Sequence, residues 1–357
     1  MITGGASAVP DLRAPRREAG DVLASRRVTP ANPRLAALSV DLDDLACYWG
    51  IHGLDGAPPE ESRHLVLRRA LPRFHALFDE LGVRATFFVI GRDLASDEEG
   101  RTLLATLAAE GHELASHTQS HPYHFTKLTP DEIAREVDAA HAALTALTGR
   151  APVGFRAPGY AITATVLEVL ASRGYLYDSS AFPSWPYYAA KAAVMGGLRL
   201  MGRASASHLD HPAVLAAPTT PYHPHPAHPY QRGESVLWEL PMAVTPRLRL
   251  PVIGTSLVTA PAWVRRRLVA SCLDAPFFNV ELHGIDLVDA REDQVPAALV
   301  ARQPDLRRTF AAKRDALVAT VREARARGYR FLPLREVVAA LPGTATPPGP
   351  VTSSRSS

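Results

Sequence analysis

Cysteine is scarce in this 357-residue chain: Cys47 and Cys272 are the two. They form neither a metal-type pair nor a disulfide framework. Cys47 follows an acidic cluster closely and is either part of a site or a small buried hydrophobe. Long apolar runs are also missing, and no stretch reaches the roughly 18 consecutive apolar residues of a membrane span. Nor is there a surplus of one charge, with 39 basic against 36 acidic residues and a net charge of +3. That balance gives no case for nucleic acid as a partner, despite a sequence pI near 8.9. The basic residues are almost all arginine, which, with abundant alanine, reads as a GC-rich genome rather than a phosphate-binding surface. Residues 1–34 lack the apolar core of a secretory signal. Their Arg, Pro, Ala and Gly content predicts a disordered lead-in and a cytoplasmic protein, with any membrane contact peripheral.

What is present suits one large or two small globular domains with a substantial core: 46% hydrophobic and 21% charged residues. The apolar run Leu35–Val40 stops on Asp41-Leu42-Asp43. Helical spacing over Val66–Leu81 ends at Gly82, and Ala85–Ile90 follows as a strand. A helix over Leu103–Glu110 leads to the strand Glu113–Ser116. Thr129-Pro130-Asp131-Glu132 is a capped helix start, with the helix ending near Thr148. Short strands are expected at Val153–Phe155 and Tyr175–Tyr177, with a helix over Thr163–Ser172 between them. This β-α alternation predicts a parallel sheet or barrel. Leu45–Ser62 reads as a loop whose Tyr48, Trp49 and His52 either line a cleft or pin onto the core. Ser179–Ser235 breaks the rhythm. It is a long insertion with one helix near Tyr188–Leu200 and a Pro/His-rich run, Pro221–Tyr230, read as an extended strip. Order returns with Val236–Pro241, a helix over Trp263–Leu273, a buried strand Pro276–Leu282, a long helix Leu306–Arg327 and a final strand and helix to Leu341. Residues 342–357 form a Pro, Thr and Ser-rich tail, expected to be disordered.

Polar residues recur at strand ends: Asp41 and Asp43, His117, Arg156, Asp178 and His283. Packing does not explain such recurrence, and in β/α proteins chemistry is built there. His117 and His121, four apart, would share one face of a helical turn. With Asp43 they make a set of two histidines and one aspartate, which leaves open positions of the kind catalytic metal sites keep. Zinc suits the set best, and cobalt, manganese or nickel could occupy it. Asp44 rivals Asp43 as the carboxylate ligand. Asp41 is left free to act as a base on water activated by such an ion. Arg156 offers a planar fork suited to holding a carboxylate, and His283 is the candidate general acid.

This ordered set, Asp41-x-Asp43, His117-Thr118-x-x-His121, Arg156-x-Pro158-x-Tyr160, Asp178 and Glu281-Leu282-His283, resembles the polysaccharide deacetylase family (the NodB-homology or carbohydrate esterase 4 group). The first motif is closest to a Val-Asp-x-Asp variant of that family. The resemblance runs from about Leu35 to Leu341. It implies an α/β fold, a deformed (β/α) barrel of about seven parallel strands; the insertion 179–235 is longer than the minimal domain needs and is expected to cover the cleft and select the substrate. It implies metal-dependent removal of an N-acyl group from an amino sugar of a polysaccharide or lipid-linked glycan. In that picture Asp43, His117 and His121 hold one divalent ion, Asp41 takes a proton from the attacking water, and Arg156 orients Asp41. The backbone N–H of Tyr160 helps stabilise the oxyanion, His283 protonates the leaving amine, and Asp178 supports Arg156 or His283. A deformylase or another amide hydrolase would use the same site. A silent carbohydrate-binding protein is disfavoured because both the base and the acid are present.

Overall fold

The computed structural model describes Met1 and residues 34–342. The lead-in at 2–33 and the tail from 343 lie outside the described residues. Residues 34–342 belong to one compact unit. Its centre is β1 (Leu35–Asp41), which is buried along its whole length. The parallel strands that follow are β2 (Thr86–Val89), β3 (Glu113–Ser116), β4 (Gly154–Phe155), β5 (Tyr177–Asp178), β6 (Trp238–Glu239), β7 (Phe277–His283) and β8 (Arg330–Phe331). The sheet order is β8-β1-β2-β3-β4-β5-β6, and β7 pairs the other edge of β1. The deformed parallel barrel of about seven strands is thus observed, with eight strands among the described residues. Beyond β6 the wall closes without a ladder. Ala243 N donates to Asn279 O at 2.8 Å, and Asn279 Nδ2 donates to Leu240 O at 3.0 Å. This break in regular pairing is what deforms the barrel.

Strand alternation sorts the side chains. On β1, Ala36, Leu38 and Val40 face outward with Phe278, Val280 and Leu282 of β7, and join the core beneath the helices. Fully burying side chains of this size stabilises by about 1.5–3 kcal/mol each. Leu35, Ala37 and Phe277 face inward, with Phe88, Tyr177, Leu334 and Val338, and fill the barrel floor. Further up the same inward rows come Ser39, Asp41, Asn279, Glu281 and His283. The inward rows thus change from apolar to polar towards the C-terminal strand ends, and the polar end is where the site forms.

Helices cover the outside. The longer ones are α1 (Leu45–Ile51), α2 (Leu71–Leu81), α3 (Glu98–Ala109), α4 (Pro130–Thr148), α5 (Ala164–Ser172), α6 (Trp185–Leu200), α7 (Ala262–Cys272), α8 (Phe310–Ala326) and α9 (Leu334–Ala340). The expected capping box at Thr129 and Glu132 is formed at α4. Gly82 ends α2 at φ +56, a left-handed conformation that favours glycine. Helix α1 lies where a loop was expected. Leu45 and Tyr48, three apart, are buried on one side of it, and this tertiary packing outweighs Gly50. Tyr48 is thus pinned to the core, while His52 bonds Gln303 at 2.8 Å. In the insertion, α6 starts three residues before the expected helix, and the Pro/His run folds into a small antiparallel hairpin, Pro224–His225 with His228–Arg232. His223 stacks on Trp238 at 3.9 Å, and His225 on His228 at 5.1 Å.

Candidate active site

Register places the acid groups. Across β1 and β7, Ser39 stands beside Glu281 and Asp41 beside His283. Arg156, just past β4, enters between them and is fully buried. Its Nη1 donates to Asp41 Oδ1 at 2.6 Å, Nη2 to Ser39 Oγ at 2.9 Å, and Nε to the Ser179 carbonyl at 2.7 Å. The guanidinium also lies 4.1 Å over the Phe88 ring. Burial disfavours its charge, but the Asp41 and Glu281 carboxylates together more than offset this and raise its pKa. Every guanidinium nitrogen is satisfied, so Asp41 is held in one orientation.

Asp43, past the end of β1, turns towards two imidazoles. Its Oδ1 lies 3.2 Å from His117 Nε2 and 3.3 Å from His121 Nε2. His117 Nδ1 donates to the Arg156 carbonyl at 2.7 Å, which leaves the Nε2 lone pair facing the carboxylate. Residues 117–121 do not form the expected helical turn. Thr118 (φ 62) and His121 (φ 56) adopt left-handed backbone, and Thr118 Oγ1 accepts from His121 N at 3.0 Å. Non-glycine residues rarely sit there, and such strain concentrates at functional sites. Burial pushes the Asp43 carboxyl up, yet the two histidines together hold it well below the usual carboxylate range. Asp44 instead accepts from His64 N at 2.7 Å, and burial raises its pKa. Of the two candidate carboxylates, Asp43 is the one that meets the histidines.

His283 ends β7. Its Nδ1 lies 2.9 Å from Glu281 Oε1, and its Nε2 3.0 Å from Tyr160 Oη. Burial alone would lower its pKa, but Glu281 overcomes this and holds it well above the ordinary histidine value. The protonated ring then donates to the Tyr160 hydroxyl, which burial keeps as a neutral phenol. Tyr160 and Asp178 engage the site through particular contacts. The Tyr160 N–H is already used, donating to Ala157 O at 3.0 Å in the turn after β4. The phenol is the part of Tyr160 that meets His283. Asp178 contacts neither Arg156 nor His283 directly. Its carboxylate accepts from Ser180 Oγ at 2.7 Å, and Ser180 Oγ in turn accepts from Ala157 N at 2.8 Å. Burial raises the pKa of both Asp178 and its neighbour Glu239, and Glu239 also feels the Asp178 charge. Asp178 therefore supports the Arg156 segment through a turn.

Residues 58–177, which hold His117, His121, Arg156 and Tyr160, match the sequence profile described as polysaccharide deacetylase. Over that stretch, about a third of its length, the chain is similar to the polysaccharide deacetylase family. A peptidoglycan deacetylase from Helicobacter pylori is 31% identical over 160 residues, covering 43% of this chain and 52% of that protein. A chitooligosaccharide deacetylase from a Bradyrhizobium strain is 40% identical over 93 residues, covering 26% of this chain and 41% of that protein. The chain thus spans about half, or less, of the curated relatives it matches. A crystal structure from Mycobacterium smegmatis, described as that of a polysaccharide deacetylase, superposes over 90% of this chain and 96% of that one. Its TM-score is 0.54 at 19% identity, which speaks for the fold.

Asp41, Asp43 and His283 lie outside the matched stretch. The barrel brings them alongside it. Glu281 stands two residues before His283 on β7, and that spacing on a strand puts both on one face. Cys47 Sγ lies 3.7 Å from His121 Nδ1, so of its two readings the structure places it at the site. Tyr123, whose ring is 4.8 Å from that of His121, had no distinguishing local signal.

Proposed function

We propose that this protein hydrolyses the N-acetyl group of an amino sugar within a glycan, using one divalent ion held by Asp43, His117 and His121. The observation that carries the reading is a single carboxylate oxygen facing two histidine Nε2 atoms beside an arginine-held aspartate and a glutamate-backed histidine. The donor set fits a cation. Asp43 Oδ1 and His121 Nε2 are buried, and neither has a hydrogen-bond partner among the described residues. Zinc suits two imidazoles and a carboxylate best. When bound, such an ion supplies Lewis acidity to the amide carbonyl and to water. Asp41, fixed by Arg156, takes the proton of the attacking water. His283 gives its Nε2 proton to the departing amine as the C–N bond breaks, so acetate and a free amine result. Tyr160 Oη marks the position on Nε2 that the leaving nitrogen takes over. Support for the substrate class comes from the relatives, whose names refer to peptidoglycan, chitin and chitooligosaccharide. All of these carry N-acetylated amino sugars.

Among the described residues no helix is long and apolar enough to cross a membrane. The test is acetate release from N-acetylated oligosaccharides by the purified protein, stripped with chelator and reloaded with zinc, cobalt, manganese or nickel. Metal analysis should give about one ion per chain. Failure of every metal to support acetate release would sink the proposal.

A further inference from the structure

Lysine occurs at three positions: Lys127, Lys191 and Lys313. Lys313 is buried, and its Nζ is satisfied by the carbonyls of Ile285 at 3.0 Å and Val288 at 2.7 Å. Lys127 is exposed. Lys191 differs from both. It sits on α6 of the insertion, half-buried, and among the described residues its Nζ has no hydrogen bond and no carboxylate at ion-pair distance.

Its surroundings are those of the active site. Nζ lies 3.8 Å from where a Cβ on Gly159 would stand, and Tyr123 Cδ1 lies 3.7 Å from the same point. Gly159 directly precedes Tyr160, and Tyr123 packs on His121. Nζ also lies 5.7 Å from the centre of the Tyr187 ring, whose own centre is 6.0 Å from that of Tyr160. Asp210 is the one acidic group that acts on Lys191 through space, and it is already bonded to the Tyr230 hydroxyl and to His211 N. A half-buried ammonium that has only the Tyr187 ring face beside it, and no hydrogen bond or ion pair, is costly. Burial accordingly pushes its pKa down to about 8, and an incoming anion would restore the lost interaction.

We infer that Lys191 forms an anion subsite at the edge of the cleft, which selects glycans bearing a carboxylate or phosphate on or beside the N-acylated sugar. The inference deepens the proposed deacetylation, on which it rests. Lys191 itself is supplied by the insertion and lies outside the stretch 58–177 that matches the family model.

The experiment is calorimetric binding to the full-length protein in the presence of chelator, so that no ion turns over the sugar or attracts the anion itself. The probes are N-acetylglucosamine, N-acetylmuramic acid for the carboxylate, and N-acetylglucosamine 1-phosphate for the phosphate. The wild type should bind at least one anionic sugar about tenfold tighter than the neutral one, the ratio expected for a single charge-assisted contact. The anionic probe preferred identifies the source of the charge. Lys191→Met should remove that preference and leave the neutral affinity unchanged, while Lys191→Arg should retain part of it. Equal affinity of the wild type for all three probes, or an equal loss for all three in Lys191→Met, overturns the subsite. Because binding is read without turnover, a lack of acetate release counts against the deacetylation alone.

Discussion

Glu281→Gln removes one charge and almost no volume from the site. The Glu281 side chain is fully buried, and its Oε1 is 2.9 Å from His283 Nδ1, while the His283 side chain is 17% exposed. Two unit charges about 4 Å apart attract by about 4 kcal/mol at an effective dielectric of about 20. The exposed edge of the imidazole reduces this, so we retain roughly half. One pH unit corresponds to 1.36 kcal/mol, so the expected shift is at least about one unit. The sign follows from the role of His283. Glu281 raises its pKa against the effect of burial, and the protonated ring is the proposed acid. Loss of that proton forms the alkaline limb of the pH profile of kcat/KM. In Glu281→Gln the proton is lost earlier, so the limb moves to lower pH. The same raised pKa stabilises the folded chain fully below the unfolded histidine value of about 6.5 and less as pH rises through the folded value. The stability difference between wild type and variant should therefore narrow at alkaline pH. The assay is the pH dependence of kcat/KM for both proteins on one N-acetylated oligosaccharide, with melting curves over the same range. An alkaline limb that stays in place while the plateau falls would refute the electrostatic role of Glu281.

Arg156→Met should destabilise the fold by about 3–5 kcal/mol, because it leaves the buried Asp41 carboxylate without its partner. Urea unfolding reads this, and a loss below about 1 kcal/mol would mean that water or a neighbour replaces the guanidinium. Gly154→Ala should cost about 1–3 kcal/mol by overpacking, since a Cβ there would overlap the Tyr177 ring and hydroxyl. A thermal melt unchanged from wild type would show that Tyr177 can move aside.

The parts legible beforehand are those written in local pattern. An apolar run ending on Asp41 and Asp43 declares a strand and its acidic end. The 117–121 segment, Arg156 and His283 each follow a short apolar stretch in the same way. Helices α2, α4 and α8 announce themselves by spacing, caps and terminal glycines. Helix α1 does not, because Leu45 and Tyr48 become a buried face only when the barrel lies beneath them. The left-handed backbone at Thr118 and His121 was also hidden. Spacing by four suggested a helical turn, but the convergence of both Nε2 atoms on Asp43 comes from the loop.

Residue types and strand periodicity are properties of neighbouring positions, so the sequence by itself determined which groups stand at the mouth of the barrel and which face of each strand they occupy. Which group meets which depends on contacts between segments far apart in the chain. Strand alternation already puts Glu281 and His283 on one face, but only the register of β1 against β7 set them beside Ser39 and Asp41. The closure of the wall through Asn279, the turn that engages the Tyr160 N–H, and the approach of Lys191 from the insertion likewise exist only in the folded molecule. The electrostatic character of the site follows from that assembly, because burial and facing charges set the protonation of Asp43 and His283.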